Sequence, residues 1–111
     1  MEKAVLLAQV GGSAETAGLV LEEFINQTPL DIQNIENLLG AGDLVAAGKV
    51  AHSLKGVSGV FGANQLRQIA ADLEMACRGS EAEKANELFA QLKPEAQRCL
   101  DFVPELKNSL K

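Results

Sequence analysis

Residues 40–63 read GAGDLVAAGKVAHSLKGVSGVFGA, and this stretch decides the fold. Gly40-Ala41-Gly42-Asp43 has the composition of a turn, and Gly62 marks a second break. Between them Ala47, Val50, Ala51, Leu54, Val57 and Phe61 recur at the 3.6-residue period of a helix with one apolar face. Asp43 stands where an N-cap is needed, because its carboxylate can accept from an unpaired amide of the first turn. The stretch therefore reads as one amphipathic helix between two tight turns.

The same punctuation repeats outward. Gly11-Gly12 ends a short first helix, about Glu2 to Val10, and Ser13 can N-cap the next. That next segment, about Ser13 to Leu39, carries the stripe Ala17, Leu21, Phe24, Ile25, Ile32, Ile35, Leu39. Thr28-Pro29 has the form of an N-cap and first-turn pair. The stripe nevertheless passes through it without changing phase, so one long kinked helix is expected. Beyond Gly62 the stripe is Leu66, Ile69, Leu73, Ala76, and Gly79-Ser80 ends it. Ser80 and Glu83 have the spacing of a capping box. The last stripe, Ala85, Leu88, Leu92, Cys99, Val103, Leu106, Leu110, runs through Pro94 by the same argument, and Pro104 ends or bends its final turns. Short connections make antiparallel neighbours. The expected architecture is all-α: an antiparallel up-down-up-down four-helix bundle with a short additional N-terminal helix, one domain over residues 1–111.

Composition agrees. Ala, Leu and Glu number 16, 16 and 11, all strong helix formers, whereas aromatics are only 4% of the chain. A hydrophobic share of 47% suffices for a core. The net charge of −5 argues against a general nucleic-acid binder, and so does the scarcity of aromatic rings for base stacking. No apolar run approaches the ~20 residues of a membrane span, and the N-terminus lacks the pattern of a signal peptide. A cytoplasmic location and a monomer are expected. A start at Met1 with a full bundle in 111 residues favours a free-standing protein over an excised module. Cys77 and Cys99 read as buried thiols: on consecutive antiparallel helices their levels differ by roughly 24 Å, beyond disulfide reach. Two Cys and one His do not close a zinc site.

The single histidine, His52, lies off the apolar stripe of its helix. Around it, at i±3, i±4 and i±7, are Val45, Gly48, Lys49, Lys55, Gly56 and Gly59. Three glycines inside a helix cost roughly 2–3 kcal/mol relative to alanine. Helix packing would explain glycines beneath the stripe; glycines beside an outward histidine instead leave the ring reachable by a large surface. From Leu44 to Ala71 there is no acidic residue, only Lys49, Lys55 and Arg67. Such a patch suits an anionic partner or group. Lys55, one turn from His52, can attract a phosphoryl group on the ring.

Hairpin geometry adds one residue. With the turn centred on Gly62-Ala63, His52 and Glu74 lie about eleven residues to either side, level with each other on neighbouring antiparallel helices. The Glu74 carboxylate is then expected to accept the ring Nδ1–H. That would fix the tautomer and leave the Nε2 lone pair outward as nucleophile.

At these residues the sequence resembles the histidine-containing phosphotransfer domains of bacterial multistep phosphorelays. The resemblance rests on Ala51-His52-x-Leu54-Lys55-Gly56-x-Ser58-Gly59-x-x-Gly62-Ala63, on the downstream Leu66, Ala70, Leu73, Glu74, and on the turn Gly40 to Asp43. It implies that His52 is phosphorylated on a ring nitrogen, that Lys55 stabilises the phosphoryl group, and that Gly56 lets a receiver domain approach. Glu74 stands where the family often places a polar residue that bonds the imidazole. The partner-facing surface would comprise Gly48, Lys49, Gly56, Gly59 and Arg67. The implied partners are receiver domains of response regulators or hybrid histidine kinases, which carry Mg²⁺ beside their aspartate. This chain would itself bind no cofactor, metal, nucleic acid or membrane.

The sequence holds no phosphate-binding glycine loop and no ATP box, so autophosphorylation from ATP is not expected. The expected activity is that of a phosphocarrier rather than an enzyme: His52 accepts a phosphoryl group from a receiver aspartyl phosphate and passes it to another receiver aspartate. Two rivals share the motif. One is the phosphotransfer domain of a chemotaxis-type kinase; the other is a bundle that docks receivers without being phosphorylated.

Overall fold

The computed structural model describes residues 1–110. Its helices are α1 (Lys3–Gln9), α2 (Ala14–Gly40), α3 (Leu44–Val60), α4 (Asn64–Arg78) and α5 (Ala82–Ser109), with no strand among the described residues. Neighbours pack as α2–α3, α3–α4, α4–α5 and α5–α2, which closes a four-helix bundle; α1 lies against α2 and α3. At 1.5 Å per residue the 28 residues of α5 span about 42 Å, which accounts for the 44 Å long axis.

The turns share one device. Each helix from α1 to α4 ends on an amide bonding back five residues: Gly12 to Leu7, Asp43 to Leu38, Ala63 to Ser58 and Glu81 to Ala76. The residue before each of these amides is left-handed, namely Gly11, Gly42, Gly62 and Ser80. This is the Schellman closure, which satisfies carbonyls that the helix end would orphan. It also corrects the capping box expected at Ser80. With φ +55, Ser80 belongs to the closure of α4 and is too early to cap α5, whose N-cap is Glu81 with no side-chain capping bond. The expected caps at Ser13 and Asp43 do form, accepting from the amides of Thr16 and Ala46.

Helices α2 and α5 run unbroken through Pro29, Pro94 and Pro104. All three prolines face solvent, where water can serve the carbonyl that each deprives of a partner. Leu21, Phe24, Ile35, Leu54, Phe61, Leu66, Leu73, Leu92 and Val103 form the centre of the core, with Phe24 and Phe61 edge to face at 4.9 Å. Two stripe positions differ from expectation. Ile25 and Val57 are exposed, while Thr28 and Ser58 are buried. Ser58 is accommodated by donating its hydroxyl to the Leu54 carbonyl at 2.7 Å.

Helix α1 closes one end. The Glu2 amide donates to the Phe61 carbonyl at 2.8 Å, and Val5 packs on Gly62. A β-carbon on Gly62 would lie 3.1 Å from that of Val5, so a side chain there would be crowded as well as strained by the φ of +64. At the same end Lys3 Nζ donates to the Ser109 carbonyl at 2.6 Å.

Candidate functional site

Helices α3 and α4 pack tightly beside Gly48. A β-carbon there would stand 3.1 Å from the Cys77 β-carbon and 3.9 Å from the Glu74 carbonyl oxygen. Gly48, expected on the partner-facing surface, is buried against α4 while its edge still lines the groove beside His52. It is a packing glycine, and the packing it permits brings the Glu74 backbone within reach of the turn that carries His52.

The consequence is a carboxylate with three donors. Glu74 Oε2 lies 2.8 Å from His52 Nδ1 and 2.7 Å from Arg78 Nη2, and Glu74 Oε1 accepts from Lys55 Nζ at 2.8 Å. The Glu74 side chain is only 4% exposed, whereas His52 is 60% exposed. Lys55, whose hydrogen bond is the largest influence, holds the Glu74 carboxyl below its ordinary range against the opposing effect of burial; His52 and Arg78 add to the lowering. An ionised carboxylate can only accept, so the Nδ1 facing it carries the proton. Nε2 is then the unprotonated, solvent-facing nitrogen of the neutral ring.

The other expected site residues divide. Lys49, Gly56 and Arg67 are exposed and Gly59 is half-buried. A β-carbon on Gly56 would meet nothing within 4 Å, whereas one on Gly59 would lie 3.5 Å from Arg67 Cδ. A groove of about 600 Å³ runs beside the ring, lined by Leu44, Val45, Lys49, Ser53 and Arg78 among others. Arg78 was not anticipated from the sequence. Its signal was present: Glu74 and Arg78 are four apart on one helix, the spacing of a side-chain ion pair. Both Cys77 and Cys99 are buried free thiols, and burial is the leading cause that raises each above its ordinary pKa. Among the described residues, no group of three or more His, Cys, Asp or Glu side chains is placed to hold a metal ion. No single helix among them is long and apolar enough to cross a membrane.

Comparison with known proteins gives one family and one curated relative. The family model described as Hpt domain matches residues 19–108. The "Phosphorelay intermediate protein rdeA" of Dictyostelium discoideum is 26% identical over 98 residues, which cover 88% of this chain and 39% of the relative. The chain thus spans about two fifths of that relative's length, and the match does not support the bacterial setting attached to the motif. No solved structure matches at a significant level. The family match takes in most of the chain, including His52, Lys55 and Glu74: this protein belongs to the Hpt domain family, whose work is histidine phosphotransfer.

Proposed function

We propose that His52 is the phosphocarrier of this domain. It takes the phosphoryl group from the aspartyl phosphate of one receiver domain and yields it to the aspartate of another. The observation that carries this reading is the pairing of an outward ring with a buried, ionised Glu74 on Nδ1. The Nε2 lone pair attacks phosphorus, the N–P bond forms, and the P–O bond to the aspartyl carboxylate breaks. The carboxylate leaves with the bonding pair. The ring keeps its Nδ1 proton and becomes cationic as Nε2 bonds to phosphorus. Glu74 faces that growing charge from within hydrogen-bond distance and is in place before the reaction begins. Lys55, one turn from the ring on α3 and bonded to the same carboxylate, is the cation that would be drawn toward the phosphoryl oxygens. At ~4 Å this attraction is between about 1 and 4 kcal/mol per unit charge, depending on exposure.

The domain supplies a positioned nucleophile; the receiver supplies the Mg²⁺ and the electrostatic stabilisation of the transferring group. In this reading the chain is a carrier without kinase activity of its own, works in the cytoplasm, and meets receivers through Lys49, Gly56, Gly59 and Arg67. The test is incubation of wild type and His52→Gln with a phosphorylated receiver. A label that is acid-labile, alkali-stable and absent from the variant is expected. A folded wild type that takes no label from several receivers would reduce the chain to a docking bundle.

A further inference from the structure

Glu74 Oε2 accepts from two donors, His52 Nδ1 and Arg78 Nη2. Both approach the same oxygen, so the Arg78 guanidinium is anchored at the oxygen that meets Nδ1. Lys55 holds the other oxygen and comes from the same helix as the ring, one turn on. A phosphoryl group on Nε2 adds negative charge on the outer side of the ring. Lys55, with a flexible stem and one bond to Glu74, is the donor free to turn toward it. Its departure would strip a carboxylate that is 4% exposed of one of its two cations. A buried charge without adequate partners takes up a proton or moves toward water. Either change would loosen its hold on Nδ1–H at the stage when the ring is cationic.

We propose that Arg78 is a positioning residue that holds the Glu74 carboxylate against His52 Nδ1 while Lys55 is engaged by the phosphoryl group. The inference rests on His52 as the phosphoryl carrier. Arg78 suits the task for two reasons. Its guanidinium remains charged at every working pH. It also stands on α4 with Glu74, so the pair stays together whatever Lys55 on α3 does. The division of labour is specific: Lys55 changes partner during the cycle and Arg78 keeps the same one.

The state in which Lys55 has left can be imitated without phosphate. Nitrogen-15 correlation spectra of the neutral His52 ring would be compared in wild type, Lys55→Ala, Lys55→Ala with Arg78→Gln, and Lys55→Ala with Arg78→Lys. The single Nδ1–H tautomer is expected to survive in Lys55→Ala, to give way to a mixture when Arg78→Gln is added, and to return in large part with Arg78→Lys. A mixture already in Lys55→Ala, or a single tautomer in the Arg78→Gln double variant, would overturn the assignment. A second reading comes from transfer rates out of a phosphorylated receiver. Arg78→Gln is expected to slow transfer about tenfold in the wild-type background and to have little further effect once Glu74→Gln is present, as two residues acting through one contact should. An equal loss in both backgrounds would mean that Arg78 touches the phosphoryl group or the partner directly, and the proposal would fall. No label on wild type would overturn the carrier reading; the ring spectra need no phosphodonor and would still decide whether Arg78 holds Glu74.

Discussion

Replacing Gly56 by alanine is expected to move stability and phosphotransfer in opposite directions. Gly56 lies within α3, exposed, four residues after His52, and a β-carbon there would meet nothing within 4 Å. No packing cost therefore opposes the gain in helix propensity, about 1 kcal/mol for glycine to alanine in a helix interior. For a domain of this size that raises the melting temperature by about 4–6 °C. Gly56→Leu should gain nearly as much, because leucine is almost as good a helix former. Its side chain, however, projects from the surface one turn from the ring, where on the proposed reading a docked receiver comes close. Transfer should fall modestly with alanine and about a hundredfold with leucine, if the lost approach costs roughly 3 kcal/mol. Thermal unfolding followed by circular dichroism and single-turnover transfer from a phosphorylated receiver would measure the two effects. Destabilisation by alanine would refute the open surroundings of residue 56. Leucine with wild-type transfer would refute the argument that the glycine is there for the partner.

Gly48→Val should behave oppositely: the β-carbon alone would stand 3.1 Å from that of Cys77, so overpacking should cost about 2–3 kcal/mol in a denaturant titration and shift the His52 ring resonances. Ser80→Gly should stabilise by about 1 kcal/mol, because it relieves a left-handed non-glycine residue at φ +55; no rise in melting temperature would contradict the closure described for α4. Stability should also fall on acidification in a Glu74-dependent way. The folded carboxyl lies below its ordinary value of 4.5, so the unfolded chain binds the proton first as the pH drops. The contribution is complete above about pH 5 and is lost progressively below it. Glu74→Gln should flatten this part of the acid limb, leaving that of Glu95, which Arg98 also holds low; an unchanged acid limb would mean that the three-donor arrangement does not persist in solution.

The bundle was legible because its apolar stripes keep phase where local signals say stop. Pro29, Pro94 and Pro104 each look like boundaries, yet all three sit on outward positions between stripe residues, where a missing amide costs least. What a stripe does not resolve is its own edge. Ile25 and Val57 lie at the margins of their apolar faces and end exposed, while Thr28, between Phe24 and Leu39 in helical phase, is drawn into the core. Ser80 was misread because a left-handed closure and an N-cap attract similar small polar residues. The level of Glu74 opposite His52 followed from counting residues from a turn, since antiparallel helices rise equally on both sides. The packing role of Gly48 was not legible because it depends on how closely α3 and α4 approach, and sequence periodicity gives the direction of a side chain but not the distance to its neighbour. The Glu74–Arg78 pair did carry its signal, in the four-residue spacing within α4, but that spacing does not say that the two share their oxygen with His52.

The bond from Lys3 to the Ser109 carbonyl places the first helical turn beside the last at one pole of the bundle. That proximity makes the order of helices along the chain open to test by permutation. A short linker joining the two ends would close a small loop, whose entropic cost grows only slowly with length. New ends could then be opened at the Gly40–Asp43 turn, outside the α3–α4 hairpin that holds His52, Lys55, Glu74 and Arg78. Such a permuted chain would present the histidine hairpin as its first two helices and keep the same site with a different connectivity.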